Sequence, residues 1–177
     1  ENVALTKHVV ELAHAVNLSV EGELGTIGKM DDYGEDGADT IIYTDPDQAV
    51  QFVQETGVDS LAIAIGTSHG IYPSTMKPEL KLELLEQIKA KLDMPLVLHG
   101  GSNNPDTEIA GAVERGVNKI NISSDIKVSY HLKMREMLAD IGMREPNEIQ
   151  PPSIAAMKVT AAQKINLFNA QGKADLY

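Results

Sequence analysis

Leu61-Ala62-Ile63-Ala64-Ile65-Gly66 is an unbroken apolar run, followed at once by Thr67-Ser68-His69-Gly70. A short run with no polar alternation suits a strand covered on both faces, the environment of a parallel sheet flanked by helices. Pro95-Leu96-Val97-Leu98 repeats the pattern, and Lys119-Ile120-Asn121-Ile122 predicts a further strand. Upstream, Leu18 to Gly25 alternates with period two, placing Glu21 and Glu23 on one side of a strand.

Between these runs the spacing turns helical. Residues 2–16 carry Val9, Leu12, Ala13 and Val16 at helical intervals. Asp45-Pro46 reads as a helix start, an acceptor side chain before a proline with helical φ, and Gly57 is placed to end that helix. Pro78 is expected to open another helix, and Asn104-Pro105 repeats the cap-and-proline start, with Gly116 closing the turn. Two helices, over roughly 125–141 and 152–168, finish the chain. The Gly- and Asp-rich stretch from Gly28 to Asp39 has too few apolar residues to pack and predicts a mobile loop. Strands alternating with helices give an α/β fold, either half of a (β/α)8 barrel or a small open doubly wound sheet.

Composition narrows the function. The 177 residues contain no cysteine, which excludes disulfides and thiolate chemistry and leaves His, Asp and Glu as metal ligands. With 15 basic against 26 acidic residues, net −11, and basic residues dispersed, the chain lacks the positive stripe of a nucleic-acid surface. No apolar run reaches the ~18 residues of a membrane span, and no basic-then-apolar segment opens the chain. A cytoplasmic protein without nucleic-acid or membrane partners is expected.

In both architectures function sits at the carboxyl ends of the strands. There the chain places Glu21 and Glu23, then Gly66 to Gly70, then His99-Gly100-Gly101-Ser102, then Ser123-Ser124-Asp125. His69 and His99 fall at equivalent positions on consecutive strands, each followed by glycine. Neighbouring strands lie about 4.8 Å apart, so both imidazoles can reach one ion. A single such histidine is usually only hydrogen-bonded at a loop mouth; the pair points to metal ligation, and neutral imidazoles suit zinc. Glu23 is either a third or alternate ligand or a plain barrel-mouth carboxylate. The Gly100–Ser102 and Asn121–Ser124 turns offer backbone N–H groups and helix N-termini that receive phosphate, though each alone reads equally as capping serines and turn glycines. Glu35, in Gly34-Glu35-Asp36-Gly37, is a candidate catalytic carboxylate. His8, His14 and His131 fall within helices and read as structural or solvated.

Four motifs in order now carry a resemblance. Val20-Glu21-Gly22-Glu23-Leu24-Gly25, Ala64-Ile65-Gly66-Thr67-Ser68-His69-Gly70, Leu96-Val97-Leu98-His99-Gly100-Gly101-Ser102 and Lys119-Ile120-Asn121-Ile122-Ser123-Ser124-Asp125 resemble the class II, metal-dependent ketose-bisphosphate aldolases. Fructose-bisphosphate and tagatose-bisphosphate aldolases make up this family. The resemblance implies a TIM (β/α)8 barrel, of which this chain carries roughly the last four βα units. Residues 1–177 would then be the C-terminal part of a single barrel domain. It implies zinc-dependent, reversible cleavage of a ketose 1,6-bisphosphate to dihydroxyacetone phosphate and an aldehyde. His69 and His99 would be zinc ligands, with Glu23 the carboxylate used when the metal shifts. Gly70, Gly100, Gly101, Ser102, Asn121, Ile122, Ser123 and Ser124 would bind the triose phosphate. Backbone around Gly70 and Ser102 would hold a monovalent cation, Na+ or K+, and Glu35 would move a proton on the triose carbon. A homo-oligomer, dimer or tetramer, is implied as well.

The chain departs from the family pattern in Gly28-Lys29-Met30 and a longer insertion, where the bisphosphate aldolases usually have a Gly-Gly-acidic loop. The family's Asp-His pair, source of the acid/base aspartate and the third zinc histidine, lies upstream of these motifs, and the 177 residues hold no equivalent. Two alternatives remain: a metal aldolase for another phosphorylated keto-sugar, and a non-catalytic half barrel that binds phosphate or metal.

Overall fold

The computed structural model describes residues 1–29, 41–70 and 78–176, with residues 28, 29 and 69 described by their backbone alone. The chain divides into two units, Glu1–Asn121 and Ile122–Tyr177.

The first unit runs α1 (Asn2–His14), β1 (Glu21–Leu24), β2 (Gly28–Lys29), α2 (Pro46–Thr56), β3 (Ser60–Ile63), β4 (Ser68–His69), α3 (Leu82–Lys91), β5 (Leu96–Leu98), α4 (Asp106–Glu114) and β6 (Val117–Ile120). Strands β1-β3-β5-β6 form a parallel sheet in that order, each joined to the next through a helix, so the alternation legible in the sequence is realised as successive βα units. Pairing of Gly22 with Leu61 and of Leu61 with Leu96 puts these residues on one face. That face meets the helices: Leu61, Ile63, Leu96 and Leu98 are fully buried, as are Leu85 and Ile88 of α3 and Ile109 of α4. Burying each such side chain contributes about 1.5–3 kcal/mol. A Cβ on Gly22 would stand 2.8 Å from Phe52 Cε1, so glycine is what lets α2 lie this close to β1.

The opposite face carries Glu21, Glu23, Ala62, Val97 and Lys119. Lys119 is there because of a β-bulge. Leu96 pairs with Val117 but Val97 pairs with Lys119, and Asn118, the extra residue, accepts from Leu96 N through Oδ1 at 3.1 Å. Without that extra residue Lys119 would point to the helices.

α2 starts as expected, with Asp45 Oδ1 accepting from Asp47 N and Gln48 N at 2.9 Å, and ends at Gly57 with φ +74. Other boundaries moved. The helix expected from Pro78 begins at Leu82, because Lys81 N donates to Ile65 O and Leu80 N to Glu108 Oε2, holding residues 80–81 against the end of β3. Asn104 does not cap α4; its side chain folds back onto the preceding loop. Gly28 and Lys29, expected in a loop, pair as β2 with Ser68 and His69 of β4. The helical-spacing stripe of α1 packs less than its pattern suggests: Val10 is buried, whereas Val9, Leu12 and Val16 are exposed.

The second unit holds α5 (Ser124–Leu138) and α6 (Pro146–Leu167), followed by a 3-10 turn at Ala174–Leu176. α6 starts six residues before the expected 152, at a proline whose missing N–H costs nothing in the first turn, and it continues through Pro151 and Pro152. Lys164 of α6 and Asp125 of α5, 11% and 19% exposed, form an ion pair at 3.0 Å.

Candidate active site

The sheet's open face leads to the carboxyl ends of β3 and β5, where two loops meet. His99 follows β5 directly, its side chain 23% exposed. Its Nε2 lies 2.9 Å from Glu21 Oε1, and Glu21 Oε2 accepts from Lys119 Nζ at 2.8 Å. Partial burial opposes ionisation of Glu21, but the hydrogen bonds from Lys119 and His99, with their charges, outweigh it and hold the carboxyl below its usual value.

Beyond His99 the chain turns at Gly100, φ +64, where a Cβ would stand 2.8 Å from Ser68 O and 3.2 Å from Thr67 Cβ. Only glycine allows the β5 loop this close to the residues after β3. Asn104 Nδ2 donates to Gly100 O at 2.8 Å and Ser102 O at 3.0 Å, closing the turn from below. Gly101 N donates to Asn121 O, and Asn121 N to Leu98 O, tying the loop to the end of β6. Two buried polar atoms here, Thr67 Oγ1 and Asn104 Oδ1, have no hydrogen-bond partner among the described residues. Such atoms cost free energy unless something polar meets them, so the loop junction is chemically prepared for a polar occupant.

The sequence-derived candidates sort as follows. His99, Gly100, Gly101, Ser102 and Asn121 come together around the β5 loop. His69 is not at the end of β3, which stops at Ile63; its backbone lies in β4, paired with Lys29, and its side chain is outside the described set. Glu23 shares the open face with Glu21 and is exposed. Gly70 follows β4 with φ +109. Glu35 lies outside the described residues. Ile122, Ser123 and Ser124 belong to the second unit, with Ser123 at the N-cap of α5 and Ser124 opening the helix. The N–H groups of that first turn are suited to an anion.

Among the described residues no three His, Asp or Glu side chains converge to hold a metal ion. The pair His99–Glu21 nevertheless has the chemistry of a supported metal ligand, an imidazole with one ring nitrogen bound to a carboxylate. Sequence reasoning passed over Lys119, Thr67 and Asn104. Period-two alternation from Ile120 outward puts Lys119 on the Asn121 side, but only the bulge aims it at Glu21. Nothing local announces that Asn104 closes a loop rather than capping a helix.

A family model, "Fructose-bisphosphate aldolase class-II", matches residues 1–173. The chain is 41% identical over 175 residues to the D-tagatose-1,6-bisphosphate aldolase subunit GatY of Klebsiella oxytoca, covering 98% of the chain and 61% of that protein. It is also similar to the crystal structure of the YdjI aldolase of Escherichia coli K12, at 34% identity and TM-score 0.78, covering 98% of this chain and 57% of that one. Fructose-bisphosphate aldolase of Campylobacter jejuni matches in fold, at 23% identity and TM-score 0.74, over 96% of this chain and 57% of that one. The chain thus spans about three fifths of the length of the relatives it matches, and its parallel α/β sheet is part of their barrel.

Proposed function

The chain belongs to the class II fructose-bisphosphate aldolase family, and from that premise we propose that it forms the metal- and phosphate-binding part of a ketose-bisphosphate aldolase. The reaction is reversible cleavage of a ketose 1,6-bisphosphate to dihydroxyacetone phosphate and an aldehyde. The observation that carries this reading is His99 at the end of β5, its Nε2 at 2.9 Å from Glu21 and its neighbour Gly100 packed against the Ser68 carbonyl.

In this reading residues 1–177 are the C-terminal part of one barrel domain; a span of about three fifths of the relatives' length fits a part of such a domain. His99 and His69 hold Zn2+, with Glu23 the alternate carboxylate. Bound zinc supplies Lewis-acid polarisation of the ketose carbonyl. The Gly100–Ser102 turn offers backbone to the triose phosphate, with Gly70, Asn121, Ile122, Ser123 and Ser124 assigned to the same ligand by family resemblance. That cradle fixes the triose away from the reacting bonds, so its binding energy serves orientation. Backbone around Gly70 and Ser102 is assigned to a monovalent cation, Na+ or K+, beside the phosphate by the same family resemblance. Glu35 would carry the proton to and from the triose carbon. A cytoplasmic homo-oligomer completes the reading; no helix among the described residues is long and apolar enough to cross a membrane.

The 41% identity to a tagatose-bisphosphate aldolase subunit favours the tagatose epimer as one substrate to test beside fructose bisphosphate. The direct experiment follows dihydroxyacetone phosphate release from both bisphosphates by the full-length protein, before and after zinc removal. Cleavage of at least one, abolished by chelation and restored by zinc, is the expected result. Metal binding without cleavage of either would leave the non-catalytic reading standing instead.

A further inference from the structure

Both oxygens of the Glu21 carboxylate are engaged, Oε1 with His99 Nε2 at 2.9 Å and Oε2 with Lys119 Nζ at 2.8 Å. An ionised carboxylate only accepts hydrogen bonds, so the His99 proton sits on Nε2 and metal ligation falls to Nδ1. We infer that Glu21 is a positioning residue for the His99 metal ligand: it holds the Nε2–H tautomer and the ring's orientation, and Lys119 holds Glu21 in place from the far edge of the sheet. This inference rests on the reading of His99 as a zinc ligand.

The geometry behind it is unusual for a surface ion pair. β1 and β6 are the outermost of four strands, so three spacings of about 4.8 Å would separate them by about 14 Å in a flat sheet. Glu21 and Lys119 meet because both side chains extend over the open face, where the intervening positions are small or short: Ala62 and Val97, both buried. The bulge at Asn118 is what turns Lys119 to that face. A carboxylate pinned at both oxygens has one orientation left, and an imidazole bound to it inherits that orientation. A lone glutamate samples several rotamers and would hold the ring less firmly.

The test uses the full-length protein and reads zinc affinity by competition with a chromophoric chelator, together with histidine 15N shifts of the metal-free form. Glu21→Ala is expected to weaken zinc binding 10- to 100-fold, the usual cost of losing a carboxylate behind a ligating histidine. Glu21→Gln, which keeps the shape and a weaker acceptor, and Lys119→Met should each give a smaller loss of several-fold. His99 should show the Nε2–H tautomer in the unmodified protein and a mixture in Glu21→Ala. Should Glu21→Ala not fold, Glu21→Gln and Lys119→Met carry the test. An Nδ1–H tautomer in the unmodified protein overturns the inference. So does wild-type zinc affinity in the Glu21 variants where His99→Ala has lost the metal. Undiminished zinc binding in His99→Ala would instead overturn the underlying metal reading.

Discussion

Gly100 lies so close to Ser68 that a Cβ on it would stand 2.8 Å from the Ser68 carbonyl oxygen. The loop after β5 thus touches the start of β4 backbone to backbone, and His99, Gly101 and Ser102 belong to the same loop as Gly100.

Gly100→Ala should therefore be costly twice over, through the left-handed φ of +64 and through a clash that no flexible side chain can relieve. We expect a loss of about 2–4 kcal/mol in urea unfolding. A change within about 0.5 kcal/mol, the range of ordinary surface substitutions, would mean the loop and β4 do not meet in this way.

Gly22→Ala should destabilise through Phe52, whose Cε1 lies 2.8 Å from the position of the added methyl. Val58 Cγ1 stands nearly as close, at 2.9 Å, but both obstacles are side chains, so a second change at Phe52 can relieve part of the clash. Gly22→Ala combined with Phe52→Leu should be less damaging than the sum of the two single changes. Additivity within about 0.5 kcal/mol across the four proteins would argue against the contact.

Asp59 couples acidity to the docking of α1. His14 donates to its carboxylate at 3.0 Å and Val20 N at 2.6 Å, and these hydrogen bonds, His14 first, hold the carboxyl below its usual value. A carboxyl depressed in the folded state stabilises above its unfolded pKa, about 3.9, and loses that contribution as pH falls through the folded value. Asp59→Asn should thus be less stable than the unmodified protein at pH 7, with the gap narrowing as the pH falls below about 4. Thermal midpoints across pH 2–7 measure it; a gap that widens in acid contradicts the assignment.

Ser124→Asp adds a negative charge to the first turn of α5, where Asp125 is already paired with Lys164. If Ser124 belongs to the phosphate cradle, dihydroxyacetone phosphate should bind about 10-fold more weakly or worse through charge repulsion, with zinc content unchanged. Calorimetric titration of the full-length protein reads both; unaltered affinity would take Ser124 out of the cradle.

Much of the fold was legible because hydrophobic burial writes itself locally. The apolar runs at Leu61–Ile65 and Leu96–Leu98 became the two central strands, and Asp45-Pro46 with Gly57 bounded a helix as those residue types require. Boundaries failed where a distant partner competed with local preference. Glu108, 28 residues on, takes Leu80 N out of a helix, and Asn104 satisfies two carbonyls in place of capping α4. Of the site, the order His99-Gly100-Gly101-Ser102 was readable, whereas its supports were not.

What the sequence by itself determined is the βα rhythm, the family and the arrival of His99 with its glycine turn at the end of β5. These follow from side-chain periodicity and from motifs contiguous along the chain. What only the tertiary structure decided is which atoms of those residues face one another. One extra residue at Asn118 shifts the register of β6, turns Lys119 to the open face and lets it meet Glu21, 98 positions away, behind His99. A bulge is a relation between two strands, and neither strand records it alone.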